Sequence, residues 1–167
     1  MTQSVHAVRA RVGGELRDYV TVLPPESLGE RGLPAQAIVG AMVRPLEEGE
    51  ALSVDVFSPN PAFVRFLHDV IAAHAPLQPA LRAEAARVGD GYVYVMDARR
   101  ANTSAEVPRE DIFGGFQVAG GALVEDSYRV NPRHQLLSAR GFFQLGHELH
   151  AALLAELDAL MAGRRRP

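Results

Sequence analysis

Apolar and charged residues alternate through the first two segments of the chain. Over Val5 to Val12, Val8, Ala10 and Val12 interleave with Arg9 and Arg11, and over Glu15 to Leu23 the pattern continues in Leu16, Val20 and Val22. A period of two predicts half-buried strands. Gly13-Gly14 between them supplies the positive φ angles of a two-residue hairpin turn. Pro24-Pro25 ends the second strand, and a loop runs to Pro34. The short apolar run within Gln36 to Arg44 fits a strand or a helix. Its position before Pro45, the Glu47-Glu48-Gly49 turn and the alternating Leu52, Val54 and Val56 favours a strand and a second hairpin.

The period then changes. Asn60 is placed to cap a helix with Pro61 in its first turn, and Phe63, Phe66, Leu67, Val70, Ile71 and His74 recur at spacings of three and four. Pro76 stops it. A second helix spans Pro79 to Val88, with Leu81, Ala85 and Val88 on one side and Gly89 at its end. A strand follows over Tyr92 to Met96, then a polar, irregular stretch over 97–111. A third hairpin joins Ile112–Ala119 to Ala122–Tyr128 through Gly120-Gly121, and Asn131-Pro132 makes a turn. A long helix over Gln144 to Met161 closes the chain, with a buried stripe of Leu145, Leu149, Leu153, Leu157 and Leu160. Without a regular βαβ rhythm, the pattern predicts an α+β fold: antiparallel hairpins forming a sheet packed against two or three helices. Residues 1–163 read as one domain and 164–167 as a basic tail. No internal repeat is expected beyond the recurrence of hairpins.

Composition narrows the chemistry. Hydrophobic residues make up 47% and charged residues 22% of the 167 positions, an ordinary globular balance. The absence of cysteine excludes disulfides, thiolate zinc sites and a cysteine nucleophile. All 17 basic residues are arginine, so Schiff-base chemistry and a phosphate-loop lysine are excluded too. A net charge of −3 offers nothing to attract nucleic acid. The start Met1-Thr2-Gln3-Ser4 lacks the features of a signal peptide, and no apolar run approaches the roughly 20 residues of a membrane span. A cytoplasmic location without membrane association is the expectation.

Candidate chemistry is sparse. His147 and His150 lie three apart on one helix face, a workable chelating geometry. However, the leucine stripe leaves His147 outside it and His150 at its border, so no metal or other cofactor is expected. His68 and His74 are six apart and fall on different faces. Asp126, Ser127 and His134 supply the residue types of a nucleophilic triad without a glycine-flanked elbow. Glu110 and Asp111 fit the acidic first turn of a short helix. Gly114-Gly115 reads as a bulge or a close-packed strand, not as a phosphate cradle.

The densest mixture of polar types lies around the third hairpin, so Asp97, Arg99, Arg100, Asp111, Tyr128, Arg129, Asn131 and His134 are the candidate binding surface. Arg129 and Tyr128 lead, as residue types common in binding hot spots. The sequence thus points to a non-enzymatic protein-interaction module of adaptor, accessory or immunity type, with a protein partner; a homodimer is compatible with it. The alternatives are a small metal-assisted hydrolase using His134, His147 or His150, and a small-ligand binder using the 97–134 loops.

Overall fold

The computed structural model describes residues 5–12, 15–24, 34–44, 47–50, 53–99 and 107–165. The opening alternation becomes β1 (His6–Val12) and β2 (Glu15–Thr21). They pair antiparallel from His6 opposite Thr21 to Val12 opposite Glu15, the register of a two-residue connection. Gly13 and Gly14, expected to make that connection, lie outside the described residues. The ambiguous run is a strand, β3 (Ile38–Met42), between β2 and β4 (Phe57–Pro59). The second hairpin is therefore shifted from the expected alternation. Val54–Val56 form a 3-10 turn instead of a strand, with Val56 in the core and Val54 half exposed, while Leu52 lies outside the described residues.

Asn60 caps α1 (Pro61–His74) as expected, its side chain accepting from the Ala62 amide. Phe63, Leu67, Val70 and Ile71 are buried, whereas Phe66 sits at the edge of the core, partly covered. α2 (Pro79–Val88) ends at Gly89 and leads into β5 (Gly91–Met96), which pairs with β6 (Ile112–Ala119). Gly120 and Gly121 make the next turn with φ of 59° and 79°, the handedness that matches strand twist. The strand expected over 122–128 stops after β7 (Ala122–Leu123), and pairing to β6 resumes only beyond it, in β8 (Arg129–Val130). A two-stranded ribbon of β9 (Leu137–Ser138) and β10 (Gly141–Phe142) precedes α3 (His147–Arg165). α3 starts later than Gln144 and continues past Met161, so the expected tail begins as helix; arginine is a good helix former and is favoured near a helix C-terminus.

The architecture is α+β. One antiparallel sheet has the order β1-β2-β3-β4, and a second consists of β5, β6 and the two short strands on β6. A single apolar cluster joins Val20, Val39 and Phe57 of the first sheet to Val93, Phe116 and Val118 of the second. Phe63, Leu67 and Ile71 of α1, and Leu149, Leu153 and Leu157 of α3, complete it. None of the helices among the described residues is long and apolar enough to cross a membrane.

Contrary to the sequence expectation, one unit is built twice. In the first copy β2 pairs with β3 (Tyr19 opposite Ala41, Val20 opposite Gly40, Thr21 opposite Ile38), with a register shift between Val20 and Thr21. In the second, β5 pairs with β6 (Tyr94 opposite Gly115, Val95 opposite Gly114, Met96 opposite Ile112), with the same shift between Val95 and Met96. Both β3 and β6 follow a 3-10 turn, at Ala35–Ala37 and Arg109–Asp111. Gly40 then faces Pro59, and Gly114 faces Val130. A Cβ on either glycine would collide with a carbonyl oxygen at 2.4 Å, Ser58 in one copy and Arg129 in the other, and with the preceding aromatic ring, Phe57 or Tyr128.

Asparagine closes both copies. Asn60 Nδ2 donates to the carbonyls of Ala35 (2.8 Å) and Ile38 (2.9 Å), and Asn131 Nδ2 to those of Arg109 (2.7 Å) and Ile112 (2.8 Å). Each Oδ1 accepts from the amide two residues on, Ala62 or Arg133. Each backbone amide donates to the facing strand, at Val39 or Phe113. Replacing either asparagine strands two carbonyls and one amide. Asn60→Ala and Asn131→Ala should each therefore lower stability by about 1–2 kcal/mol in urea unfolding. Equal stability to wild type for both would refute the clamp.

Candidate functional site

Of the residues expected to form a binding surface, four make an internal network and one, Tyr128, lies on the wall of a cleft. Asp97 and Arg99, just after β5, are buried, as is Asp111 before β6. Arg99 Nε donates to Asp111 Oδ1 at 2.9 Å, Nη1 to the Gly141 carbonyl, and Nη2 to the carbonyls of Glu110 and Gln135. Asp97 Oδ1 accepts from the amides of Arg99 and Gln144, and its Oδ2 receives His134 Nε2 at 2.9 Å. The His134 ring lies against Phe113, with centroids 4.3 Å apart. Arg140 meets Asp111 Oδ2 from outside at 2.8 Å. Burial works against ionisation of Asp111, but the guanidiniums of Arg140 and Arg99 outweigh it and hold its pKa below the ordinary value.

These four groups are therefore turned inward, bonded to one another and to the backbone. They fasten the segment from Gln135 to Gln144 onto the ends of β5 and β6, because a buried guanidinium must find acceptors and the backbone there supplies them. In the first copy of the repeated unit, the matching positions hold Val22, Ala37 and Phe63, all buried and apolar. Of the remaining expected residues, Asn131 is the clamp described above, Arg129 is exposed on β8, and Arg100 lies outside the described residues. Asp126, Ser127 and His134 are not a triad. His134 is bound to Asp97, and the Ser127 hydroxyl donates to the Val124 carbonyl while accepting from the Gln117 amide.

That serine holds open a bulge. Val124 bonds to Gln117 and Arg129 pairs with Gly115, so the four residues 125–128 stand opposite Phe116 alone. The bulge, with Asp126 at φ 57°, pushes away from β6 and leaves a cleft of about 850 Å³. Its walls are His68, Asp69 and Ala72 of α1, Pro76, and Arg82 and Ala85 of α2 on one side. Opposite lie Phe116, residues 121–126, Tyr128 and Val130.

At the cleft, His68 Nδ1 and the Tyr128 hydroxyl are hydrogen-bonded at 2.7 Å. Burial, with a smaller contribution from His134, lowers the His68 pKa to about 4. Burial also raises that of Tyr128. Both groups are consequently neutral across the physiological range. Sequence reasoning missed His68, whose partner is 60 residues away.

The helix pair His147 and His150 stays apart from this site. His147 is exposed at the first residue of α3, and half-buried His150 has a buried Nδ1 without a hydrogen-bond partner among the described residues. Its pKa is lowered by burial and then by His147. No three histidine, aspartate or glutamate side chains among the described residues are grouped to hold a metal ion. Comparison with known proteins finds no family model, no curated protein and no solved structure that matches this chain.

Two outcomes follow from the geometry. Arg99→Met removes the buried guanidinium from Asp111 and leaves three carbonyls without their donor, so it should cost about 3–5 kcal/mol in denaturant unfolding; the exposed Arg140→Ala change should cost far less. A loss no greater for Arg99→Met than for Arg140→Ala would refute the network's role. The second outcome concerns acid. With folded His68 at about 4 and its unfolded value near 6.5, the unfolded chain binds more protons across that interval. Stability should therefore fall as pH drops from about 6.5 to 4, by up to roughly 3 kcal/mol from this group. His150 acts in the same direction. A His68→Gln variant should show a flatter stability profile than wild type between pH 7 and 4, and parallel profiles would contradict the assignment.

Proposed function

We propose that the protein is a non-enzymatic binding module and that the cleft between α1, α2 and the bulged hairpin is its binding site. The observation that carries this reading is the cleft itself, whose volume of about 850 Å³ falls in the range of small-molecule sites. Its walls are mainly apolar, as Ala72, Pro76, Ala85, Phe116, Leu123, Val124 and Val130 provide, with a few polar groups converging on it. The chemistry of those groups favours binding over catalysis. His68 at about 4 is a weak base, and the raised Tyr128 keeps its proton, whereas acid–base catalysis near pH 7 works best with a pKa close to that value. Held neutral and bonded to each other, they can orient a ligand by hydrogen bonding.

A second reading, the protein-interaction module with a protein partner, is favoured by one observation. Tyr92, Tyr94 and Met96 are 56%, 50% and 40% exposed along one face of β5, which is an edge strand among the described strands. Exposed aromatics beside an open edge suit a partner strand added to the sheet.

Thermal shift against a panel of small metabolites tests the first reading, since a ligand that binds only the folded state raises the midpoint. At least one compound should raise the wild-type midpoint, and Ala72→Phe, which fills the cleft, should abolish that shift. A shift retained in Ala72→Phe and lost in a Tyr92→Arg/Tyr94→Arg variant would favour the β5 face instead.

A further inference from the structure

We infer that the ligand of this cleft is a small organic cation, an ammonium group carried on an apolar, preferably aromatic, body. The inference rests on the cleft being the binding site and concerns what it selects. Three carboxylates stand on its rim: Asp69 on α1, and Glu125 and Asp126 on the bulge. All three are exposed, and none makes an ion pair or a side-chain hydrogen bond among the described residues.

Some acids elsewhere are matched. Asp18 holds Arg9, Glu50 holds Arg44, Glu84 holds Arg87 and Glu110 holds Arg140. Among the described residues that line the cleft the one cation is Arg82, whose Nε is directed to the Pro76 carbonyl at 2.8 Å. The mouth of the cleft is therefore net negative, which attracts a cation and repels an anion.

The interior selects the rest of the molecule. The rings of Phe116 and Tyr128 lie with centroids 5.0 Å apart on one wall. Aromatic faces attract a cation as well as an apolar body. The His68–Tyr128 pair adds hydrogen bonding without a charge that would oppose an ammonium group. The carboxylates come from α1 on one side and the bulge on the other, and they are not grouped as ligands of a single metal ion. That spacing suits an extended organic cation with its charge at the mouth and its body inside.

Three indole probes that share a two-carbon side chain differ in the charge they carry: tryptamine, 3-ethylindole and indole-3-propionate, each titrated into isotope-labelled full-length protein and followed by amide and methyl NMR shifts. Tryptamine should bind about fivefold or more tighter than 3-ethylindole, and indole-3-propionate weakest, with shifts centred on Ala72, Phe116 and Tyr128. An Asp69→Asn/Glu125→Gln/Asp126→Asn variant should bring tryptamine down to the level of 3-ethylindole and leave 3-ethylindole unchanged. Asparagine tolerates the positive φ of position 126, so the variant keeps the bulge. Added salt should narrow the wild-type difference in the same way.

Equal affinity for tryptamine and 3-ethylindole, or a preference that survives the triple substitution, would overturn the cation inference while leaving the cleft as a binding site. If none of the probes shifts the cleft residues, both readings fall.

Discussion

The asparagine side chain at the end of each repeated unit is the constraint from which the rest of the molecule is laid out. A strand that leaves a sheet must satisfy the carbonyls of its neighbour, and here one amide does so at both Asn60 and Asn131. The same amide reaches the 3-10 turn before the facing strand, so turn, strand and exit are locked together. The bare glycine opposite, Gly40 or Gly114, lets the last strand lie close enough for that lock, since a Cβ there would strike backbone. Once the frame is set, the next residues can differ. After Asn60 the chain winds into α1; after Asn131 it makes only a turn, with the His134 amide on the Asn131 carbonyl.

The two copies diverge most inside. Where the first buries Val22, Ala37 and Phe63, the second buries Asp97, Asp111 and His134 around Arg99. A buried ionic cluster is rarely more stable than the apolar packing it replaces, so its contribution lies in geometry. Arg99 has acceptors on three separate stretches, at Glu110, Gln135 and Gly141. An apolar side chain could cover those stretches but could not fix their relative positions. The fastened segment carries Phe142 and Phe143 into the aromatic contacts with Phe57 and Phe63, which joins the second unit to the first.

What was legible in the sequence was local. The cap at Asn60, the helical stripe of α1 and the paired-glycine turn at 120–121 each depend on residues a few positions apart, and each is found; the leucine stripe of α3 is found from Leu145 to Leu157, with Leu160 only half-buried. Where a distant partner decides, pattern failed. The strand expected to run to Tyr128 breaks because the Ser127 hydroxyl takes over the amide of Gln117. Asp97, Arg99, Asp111 and His134 were grouped by their polarity and do come together, but alternation carries no sign of whether a polar residue is paired inside or left in water. The repeat was present as Ile-x-Gly followed later by Asn-Pro in both copies. So few identities, with loops of different length between them, carry no periodic signal.

The bulge explains why the cleft is found in the second copy of the unit. In the first, Met42 faces Phe57 across the strand pair and no extra residues intervene at that position. In the second, the inserted residues 125–128 lift the chain from Phe116, and Tyr128 turns its hydroxyl toward His68 of α1 instead of packing as a plain phenyl ring. Gly114 makes this possible, because a side chain there would meet the Tyr128 hydroxyl at 2.6 Å. The hydroxyl that distinguishes Tyr128 from Phe57 thus pairs with a buried imidazole at the boundary between the two units. A polar pair in that position stabilises little that phenylalanine and leucine could not, and it keeps hydrogen-bonding capacity at the wall of an open cleft. The same substitution of polar for apolar side chains that fastens the interior therefore gives the cleft its chemistry.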